Sequence, residues 1–299
     1  MSQDYSSTRI ADEIDSIIAR AMAEYSAAKG VDVWDTSTET TNTSSPPEEE
    51  VPEVIPQNSG SILVEETTSR FSGATWYYNI RTKRITLAGL GGIGSYVAFL
   101  LARMHPDTII LYDDDYVESA NISGQLYETD DVGQLKVSAT AEHMRTYSDY
   151  YASTANERFT NSTELCTEIA ICGFDNMEAR RTFYNAWKRQ VQEAPADLRK
   201  KYLFIDGRLA AESFQILCIR GDDEFSMQRY ADKFLFTDAE ADKTICSYKQ
   251  TSFMANMIAS VMVNLFVNFC ANECDPLVPR DLPFYTEYTA ETMFFKVIT

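Results

Sequence analysis

Residues 84–96 read Arg-Ile-Thr-Leu-Ala-Gly-Leu-Gly-Gly-Ile-Gly-Ser-Tyr, a short apolar run that breaks into glycines at 89, 91, 92 and 94 and then resumes with helical periodicity. Ile85, Leu87 and Leu90 suit a buried strand. The G-x-G-x-x-G spacing of Gly89, Gly91 and Gly94 permits a tight strand-to-helix turn in which backbone approaches a phosphate. A helix opening there aims its N-terminal amides, and the positive end of its dipole, at that anion. The stretch alone implies a nucleotide-binding β-α-β unit; glycines at a closely packed turn are its plainer alternative.

Thr108-Ile-Ile-Leu-Tyr reads as a second buried strand, running into Asp113, Asp114 and Asp115. An acidic residue about twenty positions beyond the glycines, at the end of the second strand, is where such folds hold ribose hydroxyls. Asp113 is the best placed of the three.

Residues 121–136 then carry polar groups that a plain dehydrogenase does not need. Taken in order, the elements are Gly89-Leu-Gly-Gly-Ile-Gly94, Asp113-Asp-Asp-Tyr-Val117, Asn121-Ile-Ser-Gly-Gln125, Asp131-Val-Gly-Gln-Leu-Lys136, and a strand ending Asp175-Asn176 with Arg180 soon after. This series resembles the signature of the ThiF/MoeB/HesA superfamily of ubiquitin-activating-enzyme-like adenylyltransferases, over about residues 70–185 with a looser echo through 270. The resemblance implies an α/β domain with a Rossmann-like, mostly parallel sheet and flanking helices. It also implies ATP and magnesium as cofactors: a carboxylate attacks the α-phosphate of ATP, giving an acyl-adenylate and pyrophosphate. In that scheme Gly89, Gly91, Gly92 and Gly94 cradle the nucleotide and Asp113 holds the ribose. Asn121, Gln125 and Lys136 face the phosphates, and Asp175 holds the magnesium ion.

Two positions depart from the pattern. Where the family has arginine in N-x-x-R-Q this chain has Gly124, and in the lead-in one arginine, Arg70, survives while its companion is Gly73. Glycine cannot supply the planar, multi-donor contacts that arginine offers to phosphates. Arg70, Arg180, Arg181 and Arg208 are the substitutes available, unless the site binds nucleotide and catalyses poorly. Arg180 and Arg181 read equally as a solvated helix face.

A helix over 177–191 with Phe183, Trp187 and Val191 at four-residue spacing is expected to be core. Leu203-Phe-Ile-Asp206-Gly-Arg208 reads as a strand ending in charge, followed by a helical or irregular 209–212 and a strand at 214–219. Asp206 and Arg208 are either ligand groups or an internal salt bridge. Phe253 to Cys270 is about as long as a membrane span, yet Asn256, Ser260, Asn264 and Asn268 recur every four residues, so a core or interface helix is expected and no membrane. Of six cysteines, Cys246 occupies the stretch where relatives carry a thioester-forming nucleophile, with Lys243 and Lys249 beside it; a buried, inert thiol is the alternative. There is no pair of C-x-x-C motifs for a structural zinc.

The net charge of -19 is uneven: residues 1–69 hold fourteen acidic side chains against three basic ones. That disfavours a nucleic-acid partner. Ile10, Ile14, Ile17, Ile18, Ala21 and Tyr25 fall at helical spacing, so residues 1–30 read as an amphipathic helix, docked on its own body or on a partner. Residues 31–60, rich in Thr, Ser, Pro and Glu, read as a disordered acidic linker, and 61–299 as the ThiF-like adenylation domain. Scattered cysteines and the lack of a signal peptide point to the cytoplasm. The resemblance further implies a homodimer and, as substrate, the C-terminus of a small ubiquitin-like or sulfur-carrier protein. A catalytically weakened nucleotide-binding scaffold is the alternative, and an NAD-dependent oxidoreductase a third.

Overall fold

The computed structural model describes residues 66–236 and 250–299. The expected helix at 1–30, the linker at 31–60 and Cys246 lie outside the described residues. Helix α1 (Thr75–Arg81) leads into β1 (Arg84–Ala88), the glycine turn and α2 (Gly92–Ala102). Then come β2 (Thr108–Tyr112), α3 (Lys136–Ser148), β3 (Ser153–Ala155), β4 (Ile169–Cys172) and α4 (Met177–Glu193). The remainder is β5 (Leu203–Ala210), β6 (Ser213–Arg220), α5 (Glu224–Lys233), α6 (Ser252–Cys274), β7 (Tyr285–Thr289) and β8 (Phe294–Ile298).

Among the described residues the strands form one eight-stranded sheet in the order β3-β2-β1-β4-β5-β6-β7-β8. Pairing is parallel from β3 through β5 and antiparallel from β5 through β8. The strand order reverses at β1, with β2 on one side and β4 on the other, so a crevice opens at the carboxyl ends of these strands.

The first strands lack polar alternation because both faces are covered. Ile85, Leu87, Ile109, Leu111, Ile169, Ile171, Leu203 and Ile205 face one core with residues of α2 and α6. Ala88, Ala170, Cys172, Phe204 and Leu217 face a second core with α4 and α5. Helix α4 starts where Asn176 Oδ1 accepts a bond from the Ala179 amide at 2.8 Å, an N-cap that satisfies one of the orphan amides. Phe183, Trp187 and Val191 are buried as their spacing predicts, and the Trp187 and Phe204 rings lie 5.5 Å apart.

Helix α6 has the length and hydropathy of a bilayer span. Here Met254, Ile258, Met262 and Phe266 are buried in the core shared with α2 and β5, while Asn256, Ser260 and Asn264 are exposed. Two expectations need correction. Residues 209–212 are not helical: β5 runs on to Ala210, and a tight turn returns to Ser213 with Ala211 at φ 45°. Asp206 is therefore a mid-strand residue, opposite Leu217 and Cys172, and does not sit at a strand end.

Candidate functional site

Gly89 leaves β1 with φ 84°, a backbone state that side chains disfavour. A Cβ there would stand 2.6 Å from the Phe174 amide, and one on Gly94 would strike the Gly89 carbonyl. The turn thus lies flat against the end of β4, where the Gly173 amide donates to Ala88 O at 2.7 Å. Gly91 is different: only Gln125 Nε2, at 3.9 Å, comes near its missing Cβ. Among the described residues no side chain caps α2 at Gly91, and the first-turn amides of a helix have no partner within the helix itself. An anion is the natural partner for such a helix end.

Asp113 follows β2 and is 9% exposed. One carboxylate oxygen accepts the Leu90 amide at 2.6 Å and the other accepts the Asp115 amide at 2.9 Å. Burial raises its pKa, opposed by the Leu90 bond and by the charge of Lys136. Lys136 is the first residue of α3 and is buried; its Nζ donates to Asp115 Oδ2 at 2.9 Å. Backbone bonds hold it there: Val117 donates to Gln134 O at 2.8 Å and Lys136 to Asp115 O at 2.9 Å. Asp131, in the same motif, is spent on structure, accepting from the Glu128 amide at 2.7 Å and from His143 Nε2 at 2.9 Å.

The 121–127 loop is stapled to the glycine turn. Tyr127 donates its hydroxyl to Leu90 O at 2.7 Å, and Ser95 Oγ accepts from the Leu126 amide at 3.0 Å. Asn121 Oδ1 accepts from the Glu118 amide at 2.9 Å, so that end of the carboxamide organises a turn. Gln125 reaches the Gly91 opening, and its buried Oε1 has no hydrogen-bond partner among the described residues. Asp175 is exposed just past β4, touched by Asn176 Nδ2 at 3.3 Å. The fold therefore gathers Gly89, Gly91, Gly92, Gly94, Asp113, Gln125 and Lys136 around the crevice, with Asp175 at the adjoining strand end.

The arginines are disposed otherwise. Arg180 is buried, not solvated: it pairs with Asp206 and donates to Gly207 O at 2.9 Å and to Phe174 O. Arg208 donates to Asp206 Oδ2 at 2.9 Å and to Phe234 O at 2.8 Å, so the internal salt bridge is the reading that holds. Arg181 is bonded to Leu235 O. Arg70 is exposed, and among the described residues no hydrogen bond or ion pair joins it to the glycine turn. Sequence reasoning missed Ser95 and Tyr127, which staple the 121–127 loop to the glycine turn. Nothing in their spacing marks them, since each acts through a contact made by the folded chain.

Comparison with known proteins bears on the family and the fold. The ThiF family pattern matches residues 65–298. The chain is 33% identical over 130 residues to "Ubiquitin-like modifier-activating enzyme 5" of Drosophila grimshawi, an alignment covering 44% of this chain and 30% of that protein. The chain thus spans less than a third of the length of that relative. Among solved structures, PaaA superposes with a TM-score of 0.60 at 15% identity, covering 98% of this chain and 86% of that one. Escherichia coli MccB with ATP gives a TM-score of 0.56 at 15% identity, covering 81% and 73%. Identity this low speaks for the fold alone. With its family pattern running through the whole described sheet, the chain belongs to the ThiF family.

Proposed function

We propose that this protein uses ATP to adenylate a carboxylate, the C-terminus of a small ubiquitin-like or sulfur-carrier protein. The observation that carries the reading is the convergence of the open Gly91 turn, Asp113 and Lys136 at the point where the strand order reverses. The names of the relatives, a ubiquitin-like modifier-activating enzyme and an MccB solved with ATP, support it.

In this reading the first-turn amides of α2 and the Lys136 ammonium meet the negative charge that builds on the phosphate oxygens, and they do so with little reorganisation. Asp113, held by Leu90 and Asp115, keeps one lone-pair direction on each oxygen for ribose hydroxyls. Asp175, exposed just past β4, would hold magnesium, which takes one or two carboxylates and leaves its other positions to phosphates and water. When bound, the ion offsets phosphate charge. Cys246 is the proposed acceptor in a following step: its thiolate attacks the acyl-adenylate carbonyl, forming a thioester and releasing AMP. A homodimer that brings Arg70 to the partner's site, and a reducing cytoplasmic setting suited to the free Cys166, Cys172, Cys218, Cys270 and Cys274, belong to the same proposal.

One observation favours a second reading, a nucleotide-binding scaffold of weak activity: Gly124 lacks a side chain, and Arg180, Arg181 and Arg208 are engaged elsewhere. Calorimetric titration with ATP and magnesium, with NAD and an Asp175→Asn variant alongside, tests the site. Exchange of labelled pyrophosphate into ATP in the presence of a candidate carrier protein then separates the two readings. Magnesium-dependent ATP binding lost in the variant is expected, together with exchange; binding without exchange favours the scaffold, and preference for NAD overturns both.

A further inference from the structure

Gln250 leads into α6, and its backbone forms a bridge with Ala211 in the turn between β5 and β6. From that anchor its side chain crosses to the glycine turn and lies between two glycines of separate segments. A Cβ on Gly92, the first residue of α2, would strike Gln250 Oε1 and stand 2.8 Å from its Cδ. A Cβ on Gly124 would stand 3.0 Å from both Cγ and Nε2 of the same side chain. Both glycines are buried. The carboxamide therefore occupies the volume that a side chain at 124 would fill, beside Gly92 at the start of α2, where no side-chain cap is present among the described residues.

We propose that Gln250 is a phosphate-binding residue, its NH2 group donating to the polyphosphate of the nucleotide at the N-terminus of α2. Gly124 is then the partner substitution that makes room for it. The inference rests on the ATP reading above. A carboxamide suits the place for two reasons. It carries two N–H donors for phosphate oxygens, and a rotation about its broad terminal torsion brings them round from Gly124 towards the opening. Being neutral, it needs no counter-charge while the site is empty.

The test compares binding of ATP with magnesium and of adenosine, by calorimetry, for the full chain and for Gln250→Ala, Gly124→Arg and the double variant Gly124→Arg/Gln250→Ala. Gln250→Ala is expected to weaken ATP about tenfold or more, the scale of a hydrogen bond to a charged group, and to leave adenosine unchanged. Gly124→Arg collides with Gln250 and is expected to lose ATP binding, or to unfold by circular dichroism; removing Gln250 as well restores it. Unchanged or tighter ATP binding by Gln250→Ala overturns the inference, tighter binding marking the side chain as a plug. Full tolerance of Gly124→Arg beside an intact Gln250 also overturns it. A wild-type chain that binds no ATP overturns the adenylation reading and this inference together, whereas ATP binding indifferent to Gln250 overturns this inference alone.

Discussion

The Asp113 carboxylate accepts the Leu90 amide at 2.6 Å, tying the end of β2 to the glycine turn that leaves β1. This bond sets where the first turn of α2 points, because Leu90 sits between Gly89 and the opening at Gly91. Asp113→Ala leaves the Leu90 and Asp115 amides without their acceptor. Removing such a partner costs about 1–3 kcal/mol, so denaturant unfolding is expected to show a loss of this size together with weaker nucleotide binding. A variant as stable as wild type contradicts the bond's role.

Asp206 is fully buried between Arg180 and Arg208, and Tyr230 adds a hydroxyl bond at 3.0 Å. Asp206→Ala strands two guanidinium groups in the interior. Breaking a buried ion pair from one side costs about 3–5 kcal/mol. A drop of that order in unfolding free energy is expected, and a loss below about 1 kcal/mol contradicts the need for a counter-charge.

His105 is buried at φ 52°, and burial, followed by the charge of Arg81, lowers its pKa from 6.5 to about 4, with Asp149 opposing. The unfolded chain therefore takes up a proton that the folded chain refuses. The folded state keeps its full stability from this group above pH 6.5 and loses it as the pH falls towards about 4. His105→Asn keeps a residue that tolerates positive φ and does not titrate. Melting curves of wild type and variant are expected to converge as the pH falls through that window; a constant offset contradicts the assignment.

Burial pushes the Cys218 thiol up to about 12, and Cys172 and Cys270 upward as well. Cys166 and Cys274 are exposed. Brief alkylation of the native protein, mapped by mass spectrometry, is expected to mark Cys166 and Cys274 and to spare Cys172, Cys218 and Cys270. Equal labelling of these five described cysteines rules out the packed arrangement of the sheet.

Much of this molecule is written in local pattern. The apolar runs at 85–88 and 108–112, the glycine spacing and the four-residue repeat of Phe183, Trp187 and Val191 each declare their element, because strand burial, positive φ and helical periodicity act over a few neighbouring residues. The relation of Asp113 to the glycines was legible for the same reason, since consecutive strands of a β-α-β unit lie side by side. Tertiary structure alone decided the fate of the charges. Arg180 looks like a surface residue of an amphipathic helix until β5 places Asp206 beneath it. Gln250 carries no mark in the sequence until the turn at Ala211 and the start of α2 bring Gly92 and Gly124 to either side of it. Backbone preference is a property of neighbours along the chain, whereas desolvation and hydrogen-bond partnership depend on which distant segments the fold packs together.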